Sequence, residues 1–297
     1  MKIAITGASG FLGQKLIARL LADGDQVRAL GRSRRPELPE TVTFFAWDAL
    51  AGEPPPGSMD GVDAVVNLAG EPVAQRWSAA VKHKIRESRV AGTRHLVDAM
   101  SKLSRPPSVL VSGSASGYYG NRGEELLTEV SPPGQGLLPE VCVEWERQAK
   151  LSETHGIRTV LVRTGIVLGP EGGALKQMLP AFRLGAGATL GSGKQWMSWI
   201  HVDDWIELFV FALRVQLRGP ANGVSPNPVR NAEFTGALAA AMHRPAFVTA
   251  PAFALKLLFG EMSAILLDSQ RLLPNAAETA GFHFRHPTLE GALADLL

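Results

Sequence analysis

Hydrophobic and polar positions alternate in two different periods along the first 168 residues. The run KIAIT at residues 2–6 is short and rich in β-branched residues, which predicts a buried strand. The apolar residues of segment 11–23 recur instead at helical spacing: Leu12, Leu16, Ile17, Leu20 and Leu21. This second pattern predicts an amphipathic helix that ends near Gly24.

The same alternation of strand-like and helix-like segments continues to residue 168. Further strand-like runs are QVRAL (26–30), VTFFAWD (42–48), AVVNLAG (64–70), SVLVSG (108–113) and RTVLVRTGIVLG (158–169). Helices are predicted over about 78–103 and about 140–154. Strands that alternate with helices favour right-handed crossovers and a parallel sheet. The fold class predicted is therefore α/β, with a Rossmann-type doubly wound parallel sheet.

The pattern changes after Gly169, where glycine-rich connections separate helical segments. The segment DDWIELFVFALRV (203–215) is apolar around much of its circumference, which predicts a helix that packs back on the sheet. We therefore predict a Rossmann domain over 1–168 with 198–221 packed on it. Residues 169–197 and 222–297 are predicted to form a smaller C-terminal lobe that closes a substrate pocket.

Composition narrows the class of protein only a little. The 297 residues are 45% hydrophobic and 20% charged, the net charge is +2, and no long run of Lys and Arg occurs. This balance is typical of a globular protein and gives no support for a nucleic-acid partner. The single cysteine, Cys142, excludes an intramolecular disulfide and indicates a reducing compartment.

Two segments of the sequence bear on membrane targeting, and neither indicates it. The N-terminus enters a predicted strand at once, and the apolar run PAFALKLLF (251–259) is too short to span a bilayer and contains Lys256. We expect that run to form a core or interface helix. A cytoplasmic location without a membrane partner is the resulting expectation.

The chemistry begins in ITGASGFLG (5–13), where three glycines lie between a predicted strand and a predicted helix. Gly7 permits a tight turn, Gly10 lets the backbone approach a pyrophosphate, and Gly13 lets the helix pack closely on the strand. The helix N-terminus would then point at the phosphates. The order of strand, glycines, helix and second strand predicts a dinucleotide site.

The end of the second predicted strand indicates which dinucleotide is preferred. An NAD site places Asp or Glu there to hold the ribose 2′-hydroxyl. This chain has Arg32 and Ser33 at that point, groups that suit a 2′-phosphate. We therefore predict NADP(H) in preference to NAD(H), held by Arg32 and Ser33, and take one of Arg34 and Arg35 as a solvated loop charge.

The chain resembles the short-chain dehydrogenase/reductase superfamily, in its extended, epimerase-like branch. The motifs that carry this resemblance are TGASGFLG (6–13), NLAG (67–70), SRVAGTRHLVDA (88–99), LVRTGIVLGP (161–170) and WIHVDD (199–204). It is more similar still to the atypical epimerase family proteins that carry an extra C-terminal domain. That second resemblance rests on SGSASGYYG (112–120), CVEWERQA (142–149), GSGKQWMSWIHVDD (191–204) and NGVSPNPVRNAEF (222–234).

The resemblance covers essentially the whole chain and implies a cofactor site. It places Asp48 near the adenine and Leu68 to Gly70 along the nucleotide, with Arg89 at a position more often occupied by Asn. The full predicted cofactor-binding set is Thr6, Gly7, Ser9, Gly10, Phe11, Leu12, Gly13, Arg32, Ser33, Asp48, Leu68, Ala69, Gly70, Arg89, Ser112 and Gly165.

One departure from the superfamily concerns its catalytic Tyr, which a Lys follows four residues later. The Lys lowers the phenol pKa from about 10, so that the Tyr can transfer a proton near neutrality. Here Tyr118 is followed by Arg122 and Tyr119 by Gly123. The spacing expected beyond Ser114 leads instead to Leu138 and Cys142, and a register with Cys142 as the Tyr leads to Glu146. The usual pair is missing in either register.

Four residues are candidates for the missing proton chemistry: Ser114, Tyr118, Tyr119 and His201. Either Tyr118 or Tyr119 could donate a proton to a substrate oxygen, or Tyr119 could be an ordinary loop tyrosine that only packs beside the cofactor. His201 titrates in a useful range but precedes a predicted helix, where a structural role is common. The seven His residues show no ligand spacing, so no metal is predicted.

Two functions fit these observations. The first is an NADP-dependent oxidoreductase or epimerase acting on a small polar substrate, such as a nucleotide-sugar-like molecule, with Gln195, Met197 and Trp199 predicted to line the substrate pocket. The second is an NADP(H)-binding protein without turnover. The missing dyad favours the second and the intact pocket motif favours the first. We expect a monomer or a homodimer.

Overall fold

The computed structural model describes residues 1–297. Its strands are β1 (Lys2–Thr6), β2 (Gln26–Gly31), β3 (Thr43–Ala46), β4 (Ala64–Asn67), β5 (Val109–Ala115), β6 (Leu126–Leu127), β7 (Arg158–Thr164), β8 (Ile166–Gly169), β9 (Ala188–Leu190), β10 (Trp196–Met197), β11 (Trp199–His201), β12 (Gly219–Gly223), β13 (Val229–Arg230), β14 (Val248–Ala250) and β15 (Arg271–Leu272). The helices are α1 (Phe11–Ala22), α2 (Ala79–Ser101), α3 (Leu137–Lys150), α4 (Gly173–Arg183), α5 (Val202–Arg214), α6 (Asn231–Ala241), α7 (Ala252–Phe259), α8 (Ala264–Leu267), α9 (Asn275–Thr279) and α10 (Leu289–Leu296). Turns of 3₁₀-helix occupy Ser116–Tyr119, Leu151–His155 and Gly260–Ser263.

The main sheet has seven parallel strands in the order β12-β7-β5-β4-β1-β2-β3, which confirms the predicted doubly wound fold. The chain runs outward from β1 through β2 to β3, and then returns to build β4, β5, β7 and β12 on the other side of β1. The strand order therefore reverses between β1 and β4. Ligands of open α/β sheets bind beyond the carboxyl ends of the strands at such a point.

Alternate residues of the central strands enter two different hydrophobic layers. Ile3 and Ile5 of β1 face one cluster with α1 and α5, whereas Ala4 faces the opposite cluster with α2 and α3. Trp205 and Phe209 of α5 belong to the first cluster, so α5 packs on the sheet. The central strands bury side chains on both faces of the sheet, because helices cover both faces.

A third hydrophobic cluster lies outside the sheet and joins α4, α6 and α10 around β8 and β11. Four two-stranded pairs connect this region to the rest: β6 with β15, β8 with β11, β9 with β14, and β10 with β13. Short pairs of this kind let residues distant in sequence meet beside the carboxyl edge of the main sheet. The division of the chain into two domains at the predicted boundaries stays a prediction.

The apolar run at 251–259 forms α7 but does not enter the core, since Leu255 is its one buried residue. An interface helix is the part of that prediction that remains. No helix of the structure has both the length and the apolar character needed to cross a bilayer.

Candidate cofactor and substrate site

The glycine turn between β1 and α1 has no room for a side chain at Gly7 or at Gly13. Gly7 has a φ of 66°, and a Cβ atom on it would lie 2.6 Å from the Leu68 carbonyl oxygen. A Cβ atom on Gly13 would lie 2.5 Å from the carbonyl oxygen of Gly7. Gly10 precedes α1, whose first turn has no side-chain cap and no acidic residue. The first N–H groups of α1 are therefore left for an anion, as in a pyrophosphate-binding turn.

A buried pair of side chains ties β1 to β4 beside this turn. The Thr6 hydroxyl donates to Asn67 Oδ1 at 2.7 Å and accepts the N–H groups of Leu68 and Ala69, each at 3.1 Å. Asn67 Nδ2 in turn donates to the Thr93 hydroxyl at 2.8 Å. The Thr6 hydroxyl thus positions the backbone of 68–69, and it has no hydrogen left to donate to a nucleotide.

The arginine side chains after β2 differ in their contacts. Arg34 donates to the carbonyl oxygens of Pro39 at 3.0 Å and Val42 at 3.1 Å, so Arg34 stabilises its own loop. Arg32 and Ser33 are exposed, and the Arg32 guanidinium makes no hydrogen bond or ion pair. Arg32 therefore stays free for a 2′-phosphate, and its contact with one stays a prediction.

The other predicted nucleotide contacts lie on both sides of the turn. Asp48 is exposed after β3, and its Oδ1 accepts the Leu50 N–H at 3.0 Å. Arg89 of α2 donates to the Glu71 carbonyl oxygen at 2.9 Å, and its guanidinium lies 3.0 Å from where a Cβ atom on Gly70 would be. Burial lowers the pKa of Arg89, and no carboxylate pairs with it. A cation thus covers the end of β4.

Beyond β5 the chain turns through Ser116–Tyr119, and Tyr119 enters the interior. The Tyr119 hydroxyl lies 2.7 Å from Asn222 Oδ1 and accepts from Arg163 Nη1 at 2.9 Å. Burial raises the pKa of Tyr119 to about 12. A fully enclosed phenol with these partners acts as a structural tie, which disfavours the predicted catalytic role of Tyr119.

A buried ion pair lies directly beneath this loop. Arg163 of β7 donates to both carboxylate oxygens of Glu146, at 2.8 and 2.9 Å, and the Ser114 hydroxyl donates to Glu146 Oε1 at 2.7 Å. Burial opposes the charge on Arg163, but the hydrogen bonds and charge of Glu146 outweigh it and raise the pKa of the guanidinium. Glu146 and Ser114 therefore hold Arg163 in place.

Tyr118 differs from Tyr119 in that its hydroxyl makes no hydrogen bond with the protein and its ring is only half-buried. The centroid of the Tyr118 ring lies 3.5 Å from Cζ of Arg163, a distance at which the guanidinium stacks on the ring. The edge of Tyr119 contacts the same ring, with 5.1 Å between centroids. Tyr118 is thus a free phenol held over a buried cation.

His201 lies outside this network. Its Nδ1 caps α5 by accepting the Asp203 N–H at 3.1 Å, and its ring stacks on His286 with centroids 3.8 Å apart. Its Nε2 lies 3.2 Å from Asp295 Oδ2 in α10. Burial lowers the pKa of His201, which favours the neutral ring. These contacts assign His201 to the junction of α5 and α10, and they disfavour its predicted catalytic role.

The fold gathers four potential metal ligands that sequence spacing did not reveal: His201, Asp203, His286 and Asp295, with ligand atoms within 4.8 Å of one another. Nδ1 of His201 already uses its lone pair for the cap, so a neutral ring carries hydrogen at Nε2. Nε2 of His201 lies 3.2 Å from Asp295 Oδ2 but makes no hydrogen bond. His201 therefore offers no free lone pair to a metal ion while its Nδ1 caps α5.

Of the three predicted pocket residues, the structure places one beside a cavity. Gln195 lines the cavity, and its Nε2 donates to the carbonyl oxygens of Leu190 and Leu266, at 2.9 and 3.2 Å. Met197 and Trp199 instead belong to the hydrophobic cluster around α6 and α10. Trp199 is fully buried, so it cannot contact a ligand in this arrangement. Alternation along a buried strand, rather than a pocket wall, explains these two residues.

The cavity has a volume of about 410 Å³ and lies between residues 191–195 and the α7–α8 region. Its lining consists of Asn121, Gly191, Ser192, Gln195, Ala252, Lys256, Glu261, Ser263, Ala264, Leu267 and Asp268. Burial raises the pKa of Asp268. An ion pair between Lys82 of α2 and Glu261 closes one side of the rim. Asn121 of the lining follows Tyr118 by three residues along the chain, and Tyr118 itself does not line the cavity.

Sequence reasoning missed the residue at the centre of this network, Arg163. Its signal was an arginine directly after the apolar run VLV (160–162) of a predicted buried strand, a position where an unpaired charge is too costly to bury. Asn222 and Thr93 carried no comparable signal, because their partners are distant in sequence.

The parallel sheet, the glycine turn at its switch point and the tyrosine loop beyond β5 together define a dinucleotide-binding protein of the short-chain dehydrogenase/reductase type. Residues 3–224 match the model of the NAD dependent epimerase/dehydratase family, and the chain belongs to that family. Residues 250–296 match a further domain of unknown function, DUF1731.

Similar proteins extend the family assignment to the whole chain. The chain is 41% identical to "Epimerase family protein SDR39U1 homolog, chloroplastic" of Arabidopsis thaliana, over 100% of this chain and 87% of that protein. The crystal structure of human epimerase family protein SDR39U1 (isoform2) with NADPH matches with a TM-score of 0.88 and 33% identity, covering 100% and 99% of the two chains. The nucleoside-diphosphate sugar epimerase from Corynebacterium glutamicum matches with a TM-score of 0.82 and 34% identity, covering 100% of this chain and 58% of that chain.

Proposed function

We propose that this protein is an NADP(H)-dependent oxidoreductase or epimerase of a small polar substrate, with Tyr118 as the proton donor. The observation that carries the proposal is the Tyr118 hydroxyl, which has no protein partner, on a half-buried ring stacked at 3.5 Å over Arg163 in the loop beyond β5. Its neighbour Tyr119 has no such freedom, because its hydroxyl is buried among Arg163 and Asn222.

The residues around the glycine turn fit a dinucleotide. Side chains on Gly7 and Gly13 would collide with the backbone of Leu68 and of Gly7, so the two glycines allow the tight turn and the close packing of α1 that a dinucleotide site uses. Arg32 and Ser33, with no carboxylate at the end of β2, favour the 2′-phosphate of NADP(H) over the free 2′-hydroxyl of NAD(H). The human relative crystallised with NADPH supports the same preference. When bound, the nicotinamide supplies or accepts hydride.

The chain's own residues would handle the accompanying proton. Tyr118 would donate its hydroxyl proton to a substrate oxygen as hydride reaches the adjacent carbon. The guanidinium of Arg163 stacks on the ring and would hold Tyr118 in this position. Glu146 keeps Arg163 in place through two hydrogen bonds. Arg163 is thus a positioning residue for Tyr118, from a different place in the chain than the missing Lys.

The cavity favours a polar substrate. Its lining includes Lys256, Asp268 and Gln195, groups that recognise hydroxyls and anionic oxygens. The Corynebacterium glutamicum relative is described as a nucleoside-diphosphate sugar epimerase, which supports a nucleotide-sugar-like molecule as the first class to test.

One observation favours a second candidate, an NADP(H)-binding protein without turnover. The Ser114 hydroxyl donates to buried Glu146, so it does not point an O–H at a substrate carbonyl. With Ser114 engaged and no Lys present, Tyr118 would act alone. Cofactor binding would then order the C-terminal region for a partner.

A paired substitution separates the two candidates. NADPH oxidation and sugar interconversion would be followed for the wild type, Tyr118→Phe and Tyr119→Phe across a panel of nucleotide sugars and small carbonyl compounds. The proposal predicts turnover that Tyr118→Phe abolishes while NADPH binding persists. Full activity in Tyr118→Phe would exclude the phenol as proton donor. NADPH binding without turnover of any compound would favour the second candidate.

A further inference from the structure

Large apolar side chains are exposed around α7 and the strand before it. We call this surface the α7 patch, and its members are Leu184, Phe247, Val248, Phe253, Leu257 and Leu258. Their exposed fractions run from 56% for Val248 to 92% for Phe247. Single exposed apolar residues are ordinary, but a group of this size on one region marks an interaction surface.

The segments that carry the patch are neighbours in space. β14 pairs with β9 and leads directly into α7 through Pro251. The chain at Gly185 approaches Pro245, since a Cβ atom on Gly185 would lie 3.7 Å from the Pro245 ring. Leu184 therefore lies near the segment that enters β14.

Helix α7 has an unusual distribution of side chains for an isolated surface helix. Phe253 and Leu257 are four residues apart and share a face, and both are exposed by about three-quarters or more (74% and 84%). Leu255 is the one buried residue of the helix, and Ala252, Ala254 and Phe259 are partly buried. Burying the exposed face in an apolar medium is favourable, because apolar surface is then removed from water.

The charged residues within the segments that carry the patch have one sign. Residues 172–202 and 234–260 contain no Asp or Glu, and they carry Arg183, Arg244 and Lys256. None of these three cations forms an ion pair in the structure. Three acidic residues that border these segments are engaged elsewhere: Glu171 pairs with Lys15, Glu261 pairs with Lys82, and Glu233 accepts the Arg230 N–H.

We propose that the α7 patch docks on the surface of an anionic phospholipid bilayer, with α7 lying in the interface. Bulky apolar side chains fringed by unpaired cations are the chemistry that such a surface binds. A second copy of this chain is a poorer occupant, because a two-fold contact pairs this patch with the same patch, which adds cations and no acidic residue to the interface.

Docking of this kind requires no spanning helix, so it is compatible with the absence of one. The sequence expectation of no membrane partner was based on the length of run 251–259, which bears on spanning alone. Ala252 and Lys256 of α7 also line the cavity. A docked α7 would hold the mouth of the cavity beside the lipid surface.

Vesicle flotation of the full chain tests the proposal. The vesicles would be phosphatidylcholine alone, or phosphatidylcholine and phosphatidylglycerol in equal parts. We expect the wild type to float with the anionic vesicles, and the double variant Phe253→Glu/Leu257→Glu to lose at least about tenfold in partitioning. Val130→Glu changes an apolar residue that is 93% exposed outside the patch, and it should float as the wild type does.

Circular dichroism and thermal unfolding would establish that both variants keep the fold. Absence of flotation with anionic vesicles would overturn the proposal, as would equal flotation of the wild type and the double variant. Equal binding to neutral and anionic vesicles would overturn the role of the cations. A dimer in sedimentation that the double variant abolishes, without vesicle binding, would assign the patch to a second copy instead.

Discussion

The carboxyl edge of the sheet has two parts that are built in different ways. We call the strand ends of β1 and β4 the first edge and those of β5 and β7 the second edge. At the first, Gly7 and Gly13 let backbone groups approach closely, and the uncharged side chains of Thr6 and Asn67 join β1 to β4. At the second, side chains do the work, and Arg163 joins Glu146 and Tyr119 in the interior. The first edge depends on the close approach of backbone groups, whereas the second depends on the buried Arg163 cation, which must be balanced and hydrogen-bonded by its neighbours.

This difference predicts that the second edge is the more sensitive to a single substitution. Arg163→Met would leave the Glu146 carboxylate buried without its cation, and we expect a loss of about 3–5 kcal/mol in the free energy of unfolding. Urea denaturation measures it. The double variant Arg163→Met/Glu146→Leu should recover part of the loss, because no unpaired charge remains.

A matched control lies on the surface. Arg105 forms an ion pair with Asp63 at 3.6 Å, and the Arg105 side chain is largely exposed. Arg105→Met should cost about 0–1 kcal/mol. A loss in Arg163→Met no larger than this control would show that the buried network does not stabilise the fold.

The two tyrosines sharpen the comparison at a smaller scale. Tyr119→Phe removes the hydroxyl that contacts Asn222 and Arg163, and we expect a loss of about 1–3 kcal/mol from the unsatisfied buried groups. Tyr118→Phe removes a hydroxyl without protein partners and should leave stability within about 0.5 kcal/mol. Thermal unfolding checks both, and equal losses would contradict the assignment of separate roles.

Sequence analysis was most successful where structure is local. The strands, the sheet and the glycine turn follow from periodicity and from glycine spacing within 5–13, because neighbouring residues determine them. Tyr119, Met197 and Trp199 were harder to place, since their surroundings come from strands and helices far along the chain. Alternation within a buried strand explains Trp199, and a hydroxyl enclosed by β7 and β12 explains Tyr119.

The cluster around His201 gives a pH test outside both edges. Burial and the neighbouring His286 lower the pKa of His201, against the charges of Asp203, Asp204 and Asp295. The unfolded state therefore binds a proton that the folded state resists. The free energy of unfolding should fall as pH decreases below about 6.5, the ordinary pKa of His.

Urea denaturation at several pH values between neutral and mildly acidic measures the slope of the free energy of unfolding against pH. His201→Asn removes the titrating group and should flatten its share of the slope. A slope that is unchanged in His201→Asn would mean that other groups cause it, and that the His201 ring is not kept neutral by burial.

The most direct test of the cofactor assignment is calorimetric binding of NADPH and NADH to the wild type and to Arg32→Ala. A charge-assisted contact with a 2′-phosphate contributes about 1.5–3 kcal/mol, so Arg32→Ala should weaken NADPH binding by about tenfold or more and leave NADH binding nearly unchanged. Arg34→Ala is the control, because Arg34 binds its own loop. Preferential binding of NADPH that depends on Arg32 is the result the account predicts. Equal affinity for the two nucleotides, or no binding of either, would contradict it.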